Sequence, residues 1–147
     1  MQRFTDKVVL VTGAGSGIGK ASALRIAAEG GSVFCVDLNA EAVEATAAQI
    51  VASGGEATGR VCDVSNESSV QDSVHACVER YGSLYGLVNM AGILRFDDTQ
   101  ELQTDHWQKV ININLTGTMF LCRAALPHLV QTKGSIVNAA STAALSG

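Results

Sequence analysis

The sequence predicts an α/β domain in which a parallel sheet is wound on both faces by helices, and three observations carry that prediction. Short β-branched runs alternate with longer stretches of helical periodicity, the pattern of successive βαβ units. The first run, Lys7-Val8-Val9-Leu10-Val11, is apolar on both faces, as a strand buried between two helical layers must be. Fifteen glycines and a single proline, Pro127, supply tight turns without a linker or a compositional break, so residues 1–147 read as one domain.

Each element has its own signal. After the first strand, an alanine-rich helix is expected from about Gly17 to Gly30, with Ala21, Ala23, Ala27 and Ala28 small enough to lie close over the sheet. Ser32-Val33-Phe34-Cys35-Val36 reads as the second strand, ending at Asp37. Val43, Ala47, Ile50 and Val51 then fall at i, i+4, i+7 and i+8, an apolar helical stripe stopped by Gly54-Gly55. Ala57 to Cys62 makes a third strand. Ser65 is the expected N-cap of a helix that buries Val70, Val74, Cys77 and Val78 and stops near Tyr81-Gly82. Gly86-Leu87-Val88-Asn89 reads as the fourth strand. A long helix from about Thr104 to Val130, bent near Gly117 and Pro127, leads to a fifth strand over Gly134 to Ala139.

Composition narrows the function. Ten Lys and Arg against fourteen Asp and Glu give a formal charge of −4, with no basic run to neutralise a row of phosphates, so nucleic acid is not an expected partner. Spanning a membrane takes roughly 18 consecutive apolar residues, and no apolar stretch here approaches that length. Cys35, Cys62, Cys77 and Cys122 lie far apart without a C-x-x-C pair, so they read as buried apolar filler rather than a metal site or disulfide scaffold. Met1-Gln2-Arg3-Phe4-Thr5-Asp6 lacks the apolar core of a secretory signal, and the expected setting is the reducing cytoplasm.

The chemistry concentrates between the first strand and first helix, in Thr12-Gly13-Ala14-Gly15-Ser16-Gly17-Ile18-Gly19-Lys20. A glycine loop there lets backbone approach a phosphate, and the helix N-terminus adds free N–H groups and a positive dipole end. A Walker A loop ending at Gly19-Lys20 would need glycine at Ala14 and a hydroxyl residue at Ala21, which disfavours a P-loop nucleotidase. The G-x-G-x-x-G fingerprint fails as well, meeting Ile18 or Lys20 where its third glycine belongs. The spacing that fits is T-G-x-x-x-G-x-G, through Thr12, Gly13, Gly17 and Gly19.

With that spacing the chain resembles the short-chain dehydrogenase/reductase family. The resemblance implies a Rossmann-type sheet in the order 3-2-1-4-5, here part of a larger sheet, and a nicotinamide cofactor on Gly13, Gly15, Ser16, Gly17, Ile18 and Gly19. Asp37, ending the second strand, would accept both hydroxyl hydrogens of an adenosine ribose and repel a 2′-phosphate. Ala14, Ser16, Leu38 and Asn39 offer no cation to such a phosphate, so NAD is expected over NADP. The family's pattern also places Asp63 and Val64 near the adenine amine, and Asn89-Met90-Ala91-Gly92 matches its N-N-A-G stretch, with Asn89, Ala91 and Gly92 as cofactor contacts. Met90 in place of the second asparagine and Tyr85 in place of the usual Asp depart from that pattern.

Asn114 falls on the family's catalytic asparagine, favoured over Asn112 by the Leu-Thr-Gly that follows. Ser141 falls on its substrate-binding serine, and Trp107 is assigned a core-packing role. The family's acid/base is a tyrosine in Tyr-x-x-x-Lys about a dozen residues after that serine. A free phenol has a pKa near 10, so it needs a nearby lysine and the cofactor's positive charge to work near neutral pH. This chain has six residues after Ser141. Its tyrosines, Tyr81 and Tyr85, lack that lysine spacing, and His75, His106 and His128 read as surface residues. The expectations are therefore a C-terminally incomplete NAD-binding domain of an alcohol or carbonyl oxidoreductase, inactive alone. The alternative is a non-catalytic NAD-binding or subunit-docking module. An uncovered sheet edge at Ser135 to Ala139 and an uncovered helix face of Ile113, Phe120, Leu121 and Ala124 would favour homo-oligomers.

Overall fold

A computed structural model describes residues 2–142. Five strands, β1 (Val8–Thr12), β2 (Ser32–Asp37), β3 (Glu56–Val61), β4 (Gly86–Asn89) and β5 (Ser135–Asn138), form one sheet in the order β3-β2-β1-β4-β5. All four pairings are parallel, with Leu10 level with Phe34 on one side and Leu87 on the other. The helices between them are α1 (Gly17–Ala28), α2 (Ala40–Ala52), α3 (Glu67–Tyr81), α4 (Thr104–Ile111) and α5 (Gly117–Thr132).

Strand alternation divides the core in two. Val9 and Val11 of β1 point into a layer with Ala23, Ile26, Val43 and Ile50 from α1 and α2. Val8 and Leu10 point the other way, toward Val70, Val74 and Cys77 of α3 and Leu121, Ala125 and Leu129 of α5. Period-2 side chains on a strand covered twice require that division. Cys35, Cys62 and Cys77 are buried and Cys122 half-buried, all reduced. Burial pushes the Cys35 and Cys77 thiols up to about 12, so both remain neutral packing groups.

Five expectations need correcting. The N-cap of α3 is Asn66, whose side chain accepts the Ser69 N–H, while Ser65 sits in a turn closed by Asp63. On α2 the buried face is Val43, Thr46, Ala47 and Ile50, with Val51 turned to solvent. Thr46 can be buried because its hydroxyl donates to the Ala42 carbonyl, 3.1 Å away. Trp107 is 55% exposed on α4, which buries no residue, so it packs no core. On α5 and the turn before it, Leu121 is buried, while Ile113, Phe120 and Ala124 pack partly buried against the core. The apolar side chains left to solvent there are Leu115, Met119, Leu126 and Val130.

The long helix is interrupted rather than bent at glycine or proline. Asn112–Thr116 forms a single π turn between α4 and α5, and α5 runs through Pro127. Asn114 lies in the middle of that turn, which the Gly117 N–H closes on the Asn112 carbonyl. Gly117 then presses against the Val64 backbone, where an added Cβ would meet the carbonyl oxygen at 2.8 Å.

The amino-terminal segment is fastened by charge. Glu29 is a buried carboxylate at the C-terminal end of α1, the end whose dipole disfavours an anion. Arg3 and Arg25 both pair with it, and these two guanidiniums hold its carboxyl down at about 2. A carboxyl lowered from 4.5 to about 2 stabilises the fold above the ordinary value and loses that contribution as pH falls through the lowered one. Glu29→Gln is therefore expected to lower the urea midpoint at pH 7, with the gap to the parent chain closing as pH falls from about 4.5 toward 2. A gap that stays constant over that range would remove the ion pairs from the account.

Candidate functional site

Strand order reverses between β1 and β4, and the crevice beyond their carboxyl ends is where parallel α/β sheets hold ligands. A cleft of about 430 Å³ opens there. One wall is the loop from Thr12 into α1. Gly13 approaches the end of β4 so closely that a Cβ would lie 3.0 Å from Met90 and Ala91 backbone atoms. The buried Thr12 hydroxyl holds that juncture by accepting the Met90 and Ala91 N–H groups, both at 3.0 Å. Gly19 presses even closer on the first turn, a Cβ there falling 2.1 Å from the Gly13 carbonyl oxygen. Gly17 has φ of +53° and open space on its Cβ side, so glycine both permits the turn and leaves the cleft wall flat.

The start of α1 differs from those of α2 and α3. Asn39 and Asn66 cap their helices with side-chain acceptors, whereas Ser16 at the N-cap of α1 accepts nothing through its side chain. The first N–H groups of α1 thus lack a side-chain partner while Ser16, Gly17, Ile18 and Gly19 line the cleft. Asp37 stands at the rim, half-buried. Its two carboxylate oxygens accept the Gly15 N–H at 2.9 Å and the Asn39 N–H at 3.0 Å. Each oxygen keeps a further lone pair for an incoming hydroxyl.

Leu38, Cys62, Asp63 and Val64 continue the wall beyond β2 and β3. Asp63 spends one oxygen on the Ser65 N–H and hydroxyl, at 2.9 and 2.6 Å, which fixes the turn before α3. Ala91 and Gly92 lie in the cleft, but Asn89 lies beneath it, buried. Its Nδ2 donates to Asn138 Oδ1 at 2.8 Å, tying β4 to β5. Met90, Ile93, Ile113 and Ala139 also line the cleft and carry no chemical signature in sequence. The signal available was positional, since each follows a strand end or lies in the π turn.

Asn114 faces this far end. Its Oδ1 accepts the Ile93 N–H at 2.9 Å and its Nδ2 donates to the Ile93 carbonyl at 2.8 Å. The side-chain amide is thus committed to holding the 92–93 backbone, and its own main-chain carbonyl accepts from the Thr118 hydroxyl at 2.9 Å. Ser141 lies two residues past Ala139, exposed at the same end of the sheet. The tyrosines are elsewhere. Tyr81 packs edge-on against Phe34 and shares a hydrogen bond with Thr58, its phenol pushed up by burial, and Tyr85 carries the Lys7 ammonium over its ring.

Comparison with known proteins agrees with this geometry. A family model described as short chain dehydrogenase matches residues 7–147. The chain is 43% identical to D-threitol dehydrogenase of Mycolicibacterium smegmatis over 97% of its own length and 55% of the relative. It is 39% identical to meso-2,3-butanediol dehydrogenase of Serratia marcescens, covering 99% of this chain and 57% of that one. A crystal structure described as a short-chain dehydrogenase/reductase from Burkholderia xenovorans superposes with a TM-score of 0.94 at 36% identity, over all of this chain and 61% of the other. The chain spans a little over half the length of these relatives. Matched along nearly its full length by that family model, with the glycine loop, Asp37 and Asn114 gathered around one cleft, it belongs to the short-chain dehydrogenase/reductase family.

Proposed function

We propose that this chain provides the dinucleotide site of an NAD-dependent dehydrogenase that moves hydride between NAD(H) and an alcohol or carbonyl carbon. The observation that carries this reading is the Asp37 carboxylate, clamped by two backbone N–H groups beside an uncapped helix start and a glycine wall. Those residues suit a dinucleotide. The α1 N–H groups would take the pyrophosphate, Asp37 the ribose hydroxyls, and Asp63 and Val64 the adenine. When bound, the nicotinamide supplies the hydride acceptor or donor.

The protein's part at the far end is positional. Asn114 fixes the Ile93 backbone, so the wall beside the reacting carbon keeps its shape. Ser141 would donate its hydroxyl hydrogen to the substrate oxygen. The names of the relatives, a threitol and a butanediol dehydrogenase among them, point to alcohols as the substrate class.

No tyrosine in the 147 residues is followed four positions on by lysine. The purified 147-residue polypeptide is therefore expected to show no alcohol-dependent NAD reduction. Robust reduction by material of verified mass would place the proton-transferring group among the residues present and overturn this assignment. Self-association is expected as well, because β5 is an exposed edge and Leu115, Met119, Leu126 and Val130 are exposed on and beside α5. Light scattering that returns a monodisperse monomer at high concentration would refute it.

A further inference from the structure

Deepening the dehydrogenase reading and resting on it, we propose that the substrate of this site carries a carboxylate, recognised by Arg95 and Lys109. A second hollow of about 390 Å³ adjoins the cofactor cleft and shares Ile93 with it, at the end that Asn114 holds. Leu94 and Phe96 border it, 76% and 91% exposed, and Arg95, Asp97 and Lys109 supply the charge. A ligand whose alcohol carbon faces the cleft would extend its remaining substituents into this hollow.

Arg95 is unlike most arginines of the chain, while Lys109, like the other lysines, has no carboxylate at ion-pair distance among the described residues. Arg3, Arg25, Arg80 and Arg123 each have a carboxylate within ion-pair distance, whereas among the described residues Arg95 and Lys109 have none. The guanidinium of Arg95 makes a single hydrogen-bond contact, 3.4 Å from His106 Nδ1, and keeps its other donors. Asp97 Oδ2 lies 3.4 Å from the same His106 nitrogen, which accepts from Arg95 when unprotonated and donates to Asp97 when protonated, one contact excluding the other. Two cations against one carboxylate leave one positive charge in the hollow. Asp98, Glu101 and Asp105 follow nearby in sequence without lining it. One positive charge matches a carboxylate monoanion and leaves a phosphate dianion undercompensated, and a guanidinium fork presents two parallel donors to a carboxylate.

The test uses phenyllactate and its neutral isostere phenyllactamide, titrated into the 147-residue chain with and without saturating NAD. Trp107, the sole tryptophan, lies two residues before Lys109 on α4 and reports by fluorescence. The expected result is saturable quenching with the carboxylate bound about tenfold more tightly than the amide, the range of one charge-assisted hydrogen bond. Arg95→Gln with Lys109→Gln should abolish the preference, and Arg95→Lys should keep part of it. Equal affinity for the two ligands, a preference untouched by the double variant, or no saturable binding of phenyllactate at all would overturn the proposal. NAD affinity is measured separately by calorimetry. Failure of NAD to bind would strike the dinucleotide reading, while the titrations without NAD decide the carboxylate question on their own.

Discussion

Gly19→Ala is expected to lower stability by about 3 kcal/mol or more and to abolish dinucleotide binding. The added methyl would lie 2.1 Å from the Gly13 carbonyl oxygen, 2.6 Å from the Gly13 carbonyl carbon and 3.0 Å from the Thr12 carbonyl oxygen. All three are backbone atoms, so no rotamer change relieves the clash. Overpacking of a buried site costs about 1–3 kcal/mol even where side chains can yield. Here the loop must move away from α1 or the first turn must open, and either displaces the N–H groups that face the cleft. Gly17→Ala supplies the contrast. Its Cβ meets nothing within 4 Å, and a left-handed alanine costs about 1–2 kcal/mol. Its stability loss should be the smaller of the two, while its methyl stands where the phosphates would lie, so NAD affinity should still fall. Urea unfolding and calorimetric NAD titration of both variants check this. Similar midpoints for the two would refute the close-approach argument at Gly19.

Asp37→Ala is expected to weaken NAD binding by about 100-fold and NADP binding far less, because the lost carboxylate is an acceptor for the ribose hydroxyls of the first and a repulsive charge for the second. Hydrogen bonds to charged groups contribute about 1.5–3 kcal/mol each, and a tenfold change in affinity corresponds to about 1.4 kcal/mol. Adding Leu38→Arg places a guanidinium at an exposed position lining the same cleft, and should carry the preference over to NADP. The fold should tolerate both changes, since Asp37 is half-buried and Leu38 68% exposed. The Gly15 and Asn39 N–H groups lose their acceptor in the alanine variant, which predicts faster amide exchange at those two residues. Unchanged NAD affinity in Asp37→Ala would place the adenosine ribose elsewhere and remove the basis for NAD preference.

Much of the architecture was readable from the chain because parallel sheets write themselves into sequence. Val8 to Val11 is apolar at every position, which a strand open to water on one side does not sustain, and the stripes on α2 and α3 repeat at helical spacing. The glycine loop was legible for a different reason. At Gly13 and Gly19 the backbone-to-backbone approach tolerates no Cβ, and at Gly17 the left-handed φ disfavours one, so the geometry constrains residue type directly. Ser65 was misread because Ser65 and Asn66 are both good N-caps adjacent in sequence. Asp63 decided between them by drawing Ser65 into its own turn. Trp107 was misread because a large aromatic residue suggests a core, and nothing local reveals that α4 fully buries no side chain and turns Trp107 outward.

By itself the sequence determined the winding of the sheet, the glycine wall and the acidic rim at Asp37, each a constraint imposed within a few residues of chain. The tertiary structure decided what joins distant segments. The two hydrogen bonds from Asn114 to Ile93 span 21 positions, those from the Thr12 hydroxyl to the end of β4 span 78 and 79, and the bond from Asn89 to Asn138 spans 49. Such contacts depend on strand order and on the π turn at Asn112–Thr116, which carries the Asn114 that bonds Ile93 in the cleft wall. Local propensity fixes which way a residue faces along its own element, and only packing fixes what it faces.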